Sequence, residues 1–130
     1  MPRGEEALLP GEIHVISERI DPALLARLTG AIFGIMVKYV VDVDRGVIAI
    51  GGELHADAEA VLLDQGSDPR SLWGANYYPG SGRDECIEYT ALINIRPARS
   101  NPGMEVLDPS IREQIRELTF RLIGRGEPLP

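Results

Sequence analysis

A chain of 130 residues is long enough for one domain to bury a self-sufficient core. Thirteen basic against 20 acidic residues leave a net charge of −7, which argues against nucleic acid as the main partner, because a polyanion would be repelled. The lone cysteine, Cys86, excludes an intramolecular disulfide and any paired-cysteine zinc or redox site.

The start, MPRGEEALLPGE, lacks the apolar stretch of a secretion signal. No apolar run reaches the roughly 20 residues that span a bilayer. A cytoplasmic protein without membrane contact is therefore expected. Residues 1–12 read as a flexible leader. IHVIS, 13–17, is a short β-rich run and a first strand. DPALLARLTGAIFG follows as a helix, with Asp21 as N-cap and Pro22 in the first helical position. Leu24, Leu25, Leu28 and Ile32 share one face of it, and Gly34 can end it in a left-handed turn.

IMVKYVVDV, 35–43, is dense in β-branched residues and predicts a buried strand. DRG, 44–46, is a tight-turn sequence, and VIAIGG, 47–52, returns as the second arm of a hairpin. ADAEAVLLDQ, 56–65, fits both a helical and an alternating pattern. Its alanines and leucines, without β-branching, favour a helix capped by Asp57 and stopped by Gly66.

SLWGANYY, 71–78, has strand character. IEYTALINIR, 87–96, alternates through five pairs and predicts a long strand, with Ile87, Tyr89, Ala91, Ile93 and Ile95 on one face. PARSNPGMEVL, 97–107, is an irregular stretch of a length that usually serves function or assembly. DPSIREQIRELTFRLIG repeats the Asp-Pro helix start, with Ile111, Ile115, Leu118 and Leu122 as its core stripe. Gly124 stops it, and 125–130 reads as a tail. The order β-α-β-β-α-β-β-α predicts an α+β two-layer sandwich over 13–124: five largely antiparallel strands, with three helices on one face.

The most chemical run is GGELHADAEAVLLDQGS, 51–67. In an extended segment Glu53, His55 and Asp57 point to one side, where they could hold a divalent metal or run an acid–base step. The plainer alternative is a strand-to-helix junction in which Asp57 caps and His55 bonds a loop carbonyl. Asn94 and Arg96 lie on the wetter face of the last predicted strand, where Arg96 could grip a small anionic ligand. Trp73 and Asn76 could line the same surface. Against this stand a structural ion pair from Arg96 to Glu53 or Asp57, and a core or dimer role for Trp73.

Other chemistries lack their residues. Gly46 stands where a calcium loop starting at Asp42 needs an oxygen ligand, and Val47 replaces its turn glycine. No serine sits in a G-x-S-x-G elbow, and no glycine run matches a nucleotide fingerprint. Cys86 reads as a small buried hydrophobe.

The strings MVKYVVDVDRGVIAIGGELHADAEAVLL, LWGANYYP, IEYTALINIRP and DPSIR resemble a family of short prokaryotic proteins known only as a domain of unknown function. The resemblance runs over 13–123, with GGELHAD and LINIRP its most specific parts. It implies a small prokaryotic protein and brings no activity, cofactor or site residue with it. Two functions are expected from the residues. The favoured one is a non-catalytic homo-oligomeric module, a dimer that regulates or binds through its sheet edge, Trp73 and the 97–107 loop. The alternative is a small hydrolytic enzyme, with Glu53, His55 and Asp57 as metal or acid–base groups and Asn94 and Arg96 holding an anionic substrate.

Overall fold

The computed structural model describes residues 11–130, so residues 1–10 of the expected leader lie outside the described part. The strands are β1 (Ile13–Ile16), β2 (Val37–Asp42), β3 (Val47–Gly51), β4 (Leu72–Tyr77) and β5 (Ile87–Glu88). The helices are α1 (Pro22–Ala31), α2 (His55–Asp64) and α3 (Pro109–Leu122). Short 3-10 turns occupy Pro69–Ser71, Leu92–Asn94 and Pro97–Arg99. One sheet, ordered β1-β3-β2-β4-β5, joins all five strands antiparallel. The α+β class and the element order are those predicted.

The register alternates side chains cleanly between two faces. Tyr39 sits between Ile50 and Ala75, and Val41 between Ile48 and Trp73. These residues and Tyr77 pack with Leu25 and Leu28 of α1 and with Ile115, Leu118 and Leu122 of α3. The other face gathers Val40, Ala49 and Leu72 against Ala58 and Leu62 of α2. The helices are thus split two and one across the sheet, which corrects the expectation of three on one face. The physical reason lies in YVV and VIAI. A strand apolar on both faces must be covered on both, and α2 supplies the second cover.

Local chemistry fixes most boundaries. Asp21 accepts the Ala23 N–H at 2.8 Å and Asp108 the Ser110 N–H at 2.8 Å, each followed by proline at the first helical position. At the hairpin, Asp42 Oδ1 accepts the N–H groups of Asp44 and Arg45, both at 2.9 Å, and Gly46 takes φ +69°. Thr119 donates its single hydroxyl proton to the Ile115 carbonyl at 2.7 Å. The Tyr39 hydroxyl, 2.7 Å from Thr119 Oγ1, must therefore be the donor between the two, tying α3 to the sheet. Burial holds the Tyr39 phenol well above its ordinary range.

Two boundaries differ from the sequence reading. Helix α2 begins at His55 after an N-cap, Leu54, that makes no side-chain cap bond. Gly51 and Gly52, at φ +113° and +85°, turn the chain at once, so Asp57 falls inside the first turn instead of capping it. There its charge still favours the helix dipole. The long strand predicted over 87–96 stops at Glu88, leaving two isolated bridges, Thr90 to Glu105 and Arg96 to Asn101, on either side of a 3-10 turn.

Beyond α3 the chain doubles back. Gly126 N–H donates to the Tyr77 hydroxyl at 2.8 Å, while Gly80 and Gly82 N–H groups donate to the carbonyls of Glu127 and Gly126. Gly126 has no room for a side chain, since a Cβ would come within 2.4 Å of the Gly82 oxygen. The segment read as a tail therefore closes one end of the core. No helix among the described residues is long and apolar enough to cross a membrane.

Candidate ligand-binding site

The first turn of α2 sits over β4, and this juxtaposition decides the fate of the GGELHAD residues. His55 is the first residue of the helix and is turned inward. Its Nε2 lies 2.9 Å from the Ala75 carbonyl oxygen, and the residue is only 9% exposed. Gly74 makes room for it: a Cβ there would come within 3.1 Å of His55 Cδ2 and 2.6 Å of Ala91 Cβ. Glu53 and Asp57 instead stand exposed. The convergence expected of an extended strand is lost because the chain is already helical at His55. Among the described residues no three of His, Cys, Asp and Glu come together as a metal centre would need.

A carbonyl oxygen can only accept, so Nε2 of the neutral imidazole carries the proton and Nδ1 keeps its lone pair. Burial pushes the His55 pKa below the ordinary value, and the Lys38 ammonium pushes the same way. The Ala75 carbonyl, the Asn76 amide and Glu88 act against that shift. Burial outweighs them, so near neutral pH His55 is an uncharged acceptor.

Asn76 is the second polar group of the site. It pairs with Lys38 on β2 and with Glu88 on β5, forming one row across three strands. Its Nδ2 donates to Glu88 Oε1 at 2.8 Å and faces the Thr90 carbonyl at 3.4 Å. Both are pure acceptors, so the amide can have only this orientation. Its Oδ1 is then left buried with no partner among the described residues.

These groups meet in a cleft of about 400 Å³. Met36, Leu54, Ala91, Leu92, Ile93 and Met104 give it apolar walls, and Lys38, His55, Asn76 and Thr90 provide its few polar points. Leu54, Leu92 and Met104 are 55%, 70% and 44% exposed, an apolar rim around the opening. An apolar cleft with a few convergent polar groups is the usual form of a small-ligand site.

The remaining predicted residues lie elsewhere or serve structure. Asn94 is fully buried. Its Oδ1 accepts the Gly74 N–H at 2.8 Å, and its Nδ2 donates to the carbonyls of Gly74 at 2.9 Å and Met104 at 3.1 Å. Its side chain has nothing left to offer a ligand. Asn101 does similar work: its Oδ1 accepts the Leu107 N–H, and its Nδ2 faces the carbonyls of Asn94, Gly103 and Glu105. Arg96 points away from the cleft, pairing with Glu59 at 3.6 Å in place of the anticipated Glu53 or Asp57. Trp73 is 3% exposed and packs in the larger core.

Of the seven residues singled out from sequence, His55 and Asn76 share this cleft. Lys38 was overlooked, although a lone lysine within IMVKYVVDV was a usable signal. The apolar rim was overlooked too, because Leu92 and Met104 come together only through the loop that Asn94 and Asn101 hold.

The chain belongs to the family described as "Protein of unknown function (DUF5674)", whose model matches residues 14–122. No curated protein and no solved structure matches it.

Proposed function

We propose that this member of the family is a non-catalytic binding module. Its ligand is a small apolar molecule with a polar head that donates N–H, an amide or an amine, seated in the His55–Asn76 cleft. The observation that carries the reading is the buried, unpartnered Asn76 Oδ1, in a cleft that His55 also lines. A buried acceptor in an apolar cleft asks for a donor, and buried polar groups without partners are rare in folded proteins. Lys38 adds one cation able to hold the carbonyl or carboxylate of the same head.

Catalysis gains no comparable support. The expected acid–base or metal partners of His55 are not gathered with it, since Glu53 and Asp57 stand exposed while His55 is buried. The dimer expected through the sheet edge, Trp73 and the 97–107 loop loses Trp73, which is 3% exposed. A second copy would instead meet the exposed rim of Leu54, Leu92 and Met104.

The reading is tested by titrating labelled protein with short alkyl amides, alkyl amines and isosteric alkanoic acids, following side-chain and backbone resonances. Amides or amines should bind with Kd on the order of 1 mM or tighter, shifting His55 and Asn76 signals. Leu54→Asp at the rim and Asn76→Val at the base should each abolish it. Indifference to all three series, or binding that survives both substitutions, sinks the proposal. A concentration-dependent mass in light scattering that Leu92→Asp removes would assign the cleft to a second copy.

A further inference from the structure

Among the buried donors that lack an acceptor in the described residues are Trp73 Nε1 and Arg96 Nη1. They are neighbours. The Arg96 guanidinium carbon lies 4.8 Å from the centroid of the Trp73 ring, and that of Arg99 lies 5.6 Å from it. The ring's π face thus carries two guanidiniums. Arg96 is the sheltered one, its side chain 15% exposed, and its carboxylate partner Glu59 stands at 3.6 Å, beyond a normal hydrogen bond.

Arg96 also lines a cleft of about 310 Å³ with Arg70 and Arg99. Pro69, Leu92 and Ile95 form its apolar side. Asp68 holds Arg70 at 2.8 Å, so three guanidiniums face two carboxylates, Asp68 and Glu59. One positive charge remains uncompensated there, in a chain whose net charge is −7. Burial and the neighbouring Arg99 both act against the charged form of Arg96. Holding like charges together costs folding free energy, which an anion would offset.

We propose that this cleft binds an oxyanion, a phosphate or a carboxylate carried on a partly apolar ligand, between Arg70, Arg96 and Arg99. Such a group supplies the acceptor that Arg96 Nη1 lacks and fits the planar fork of a guanidinium. The exposed Leu92 and Ile95, 70% and 43% accessible, offer contact to the apolar remainder. The cleft is distinct from the His55–Asn76 site, with which it shares only Leu92 and Ile93.

Trp73 is the sole tryptophan in the sequence, and two of the arginines lie over it, so its fluorescence reports on the site directly. The full chain is titrated with inorganic phosphate and, separately, with benzoate, each against sodium chloride at equal ionic strength, by fluorescence and calorimetry. A saturable response to one or both oxyanions and none to chloride is expected. Arg99→Ala, at an exposed position, should weaken it at least about tenfold, the loss of one charge-assisted contact. Arg70→Ala should cost less, since Asp68 already engages that side chain. Asn76→Val should leave the affinity unchanged, so that failure of the two sites can be told apart. A preference for phosphate identifies a phosphate ester as the ligand class, and a preference for benzoate identifies a carboxylate. Silence toward both anions by both methods overturns the proposal, as does full affinity in an Arg99→Ala protein that circular dichroism shows to be folded.

Discussion

Asn94 bonds both backbone polar groups of Gly74, accepting from its N–H at 2.8 Å and donating to its carbonyl at 2.9 Å. One side chain thereby stands where a neighbouring strand would supply two ladder bonds. Replacing Asn94 with alanine strips these bonds and leaves buried groups unpaired. The expected loss is about 3 kcal/mol, read as a lower midpoint in urea with an unchanged slope. Asn94→Asp keeps the acceptor but sets a buried carboxylate against the Gly74 and Met104 carbonyls. At neutral pH it should therefore be at least as destabilised as alanine. Equal stability of all three proteins would show that the staple contributes nothing.

Gly74 is constrained by space, since its φ is ordinary. A Cβ would meet Ala91 Cβ at 2.6 Å, His55 Cδ2 at 3.1 Å and Ile93 Cγ1 at 3.2 Å. Gly74→Ala should therefore destabilise by roughly 1–3 kcal/mol and displace the imidazole. A thermal melt measures the first effect, and the His55 ring resonances the second. An unchanged histidine spectrum would mean that the strain is absorbed elsewhere.

His55 also predicts an acid-sensitive fold. Its folded-state pKa lies below the ordinary 6.5, so as the pH falls the unfolded chain takes up the proton first. Stability from this residue is complete above about pH 6.5 and declines below it, until the folded-state pKa is reached. His55→Gln should flatten that part of the stability profile in chemical denaturation across pH 4.5–8. A profile that keeps its slope in the variant would place the titration on another group.

Asp42 offers a contrast within one residue. Its Oδ1 holds two turn N–H groups, while its Oδ2 is buried without a partner among the described residues. Asp42→Ala should cost about 1–2 kcal/mol through the lost turn bonds. Asp42→Asn preserves the acceptor and removes a buried charge, so it should stay within about 0.5 kcal/mol of wild type or gain stability. A loss as large in asparagine as in alanine would show that the charge itself is needed.

Much of the fold was legible because its signals are local. The Asp-Pro starts of α1 and α3 and the Asp42–Gly46 turn act within four residues, so composition and spacing suffice. The 87–96 stretch misled because Ala91 and Asn94 are buried three apart, while Ile95 and Leu92 are left outside. Its alternation of apolar and polar letters persists, but Asn94 answers to Gly74, twenty residues away. The GGELHAD residues illustrate the same limit. Period-two spacing marks a shared side only while the chain stays extended, and α2 begins one residue too early for that. Asn76 revealed its unpaired oxygen only once Glu88 and Thr90 had fixed its amide.

The Asn94 staple has a bearing on solubility. An unpaired strand flank offers free N–H and carbonyl groups to any passing chain, and is a common seed for runaway aggregation. Past its two pairs with β5, β4 would present such a flank at Gly74. A side-chain amide occupies those groups without extending any backbone ladder of its own, so nothing further can be added in register. The protein ends its sheet there with a terminus that cannot be copied.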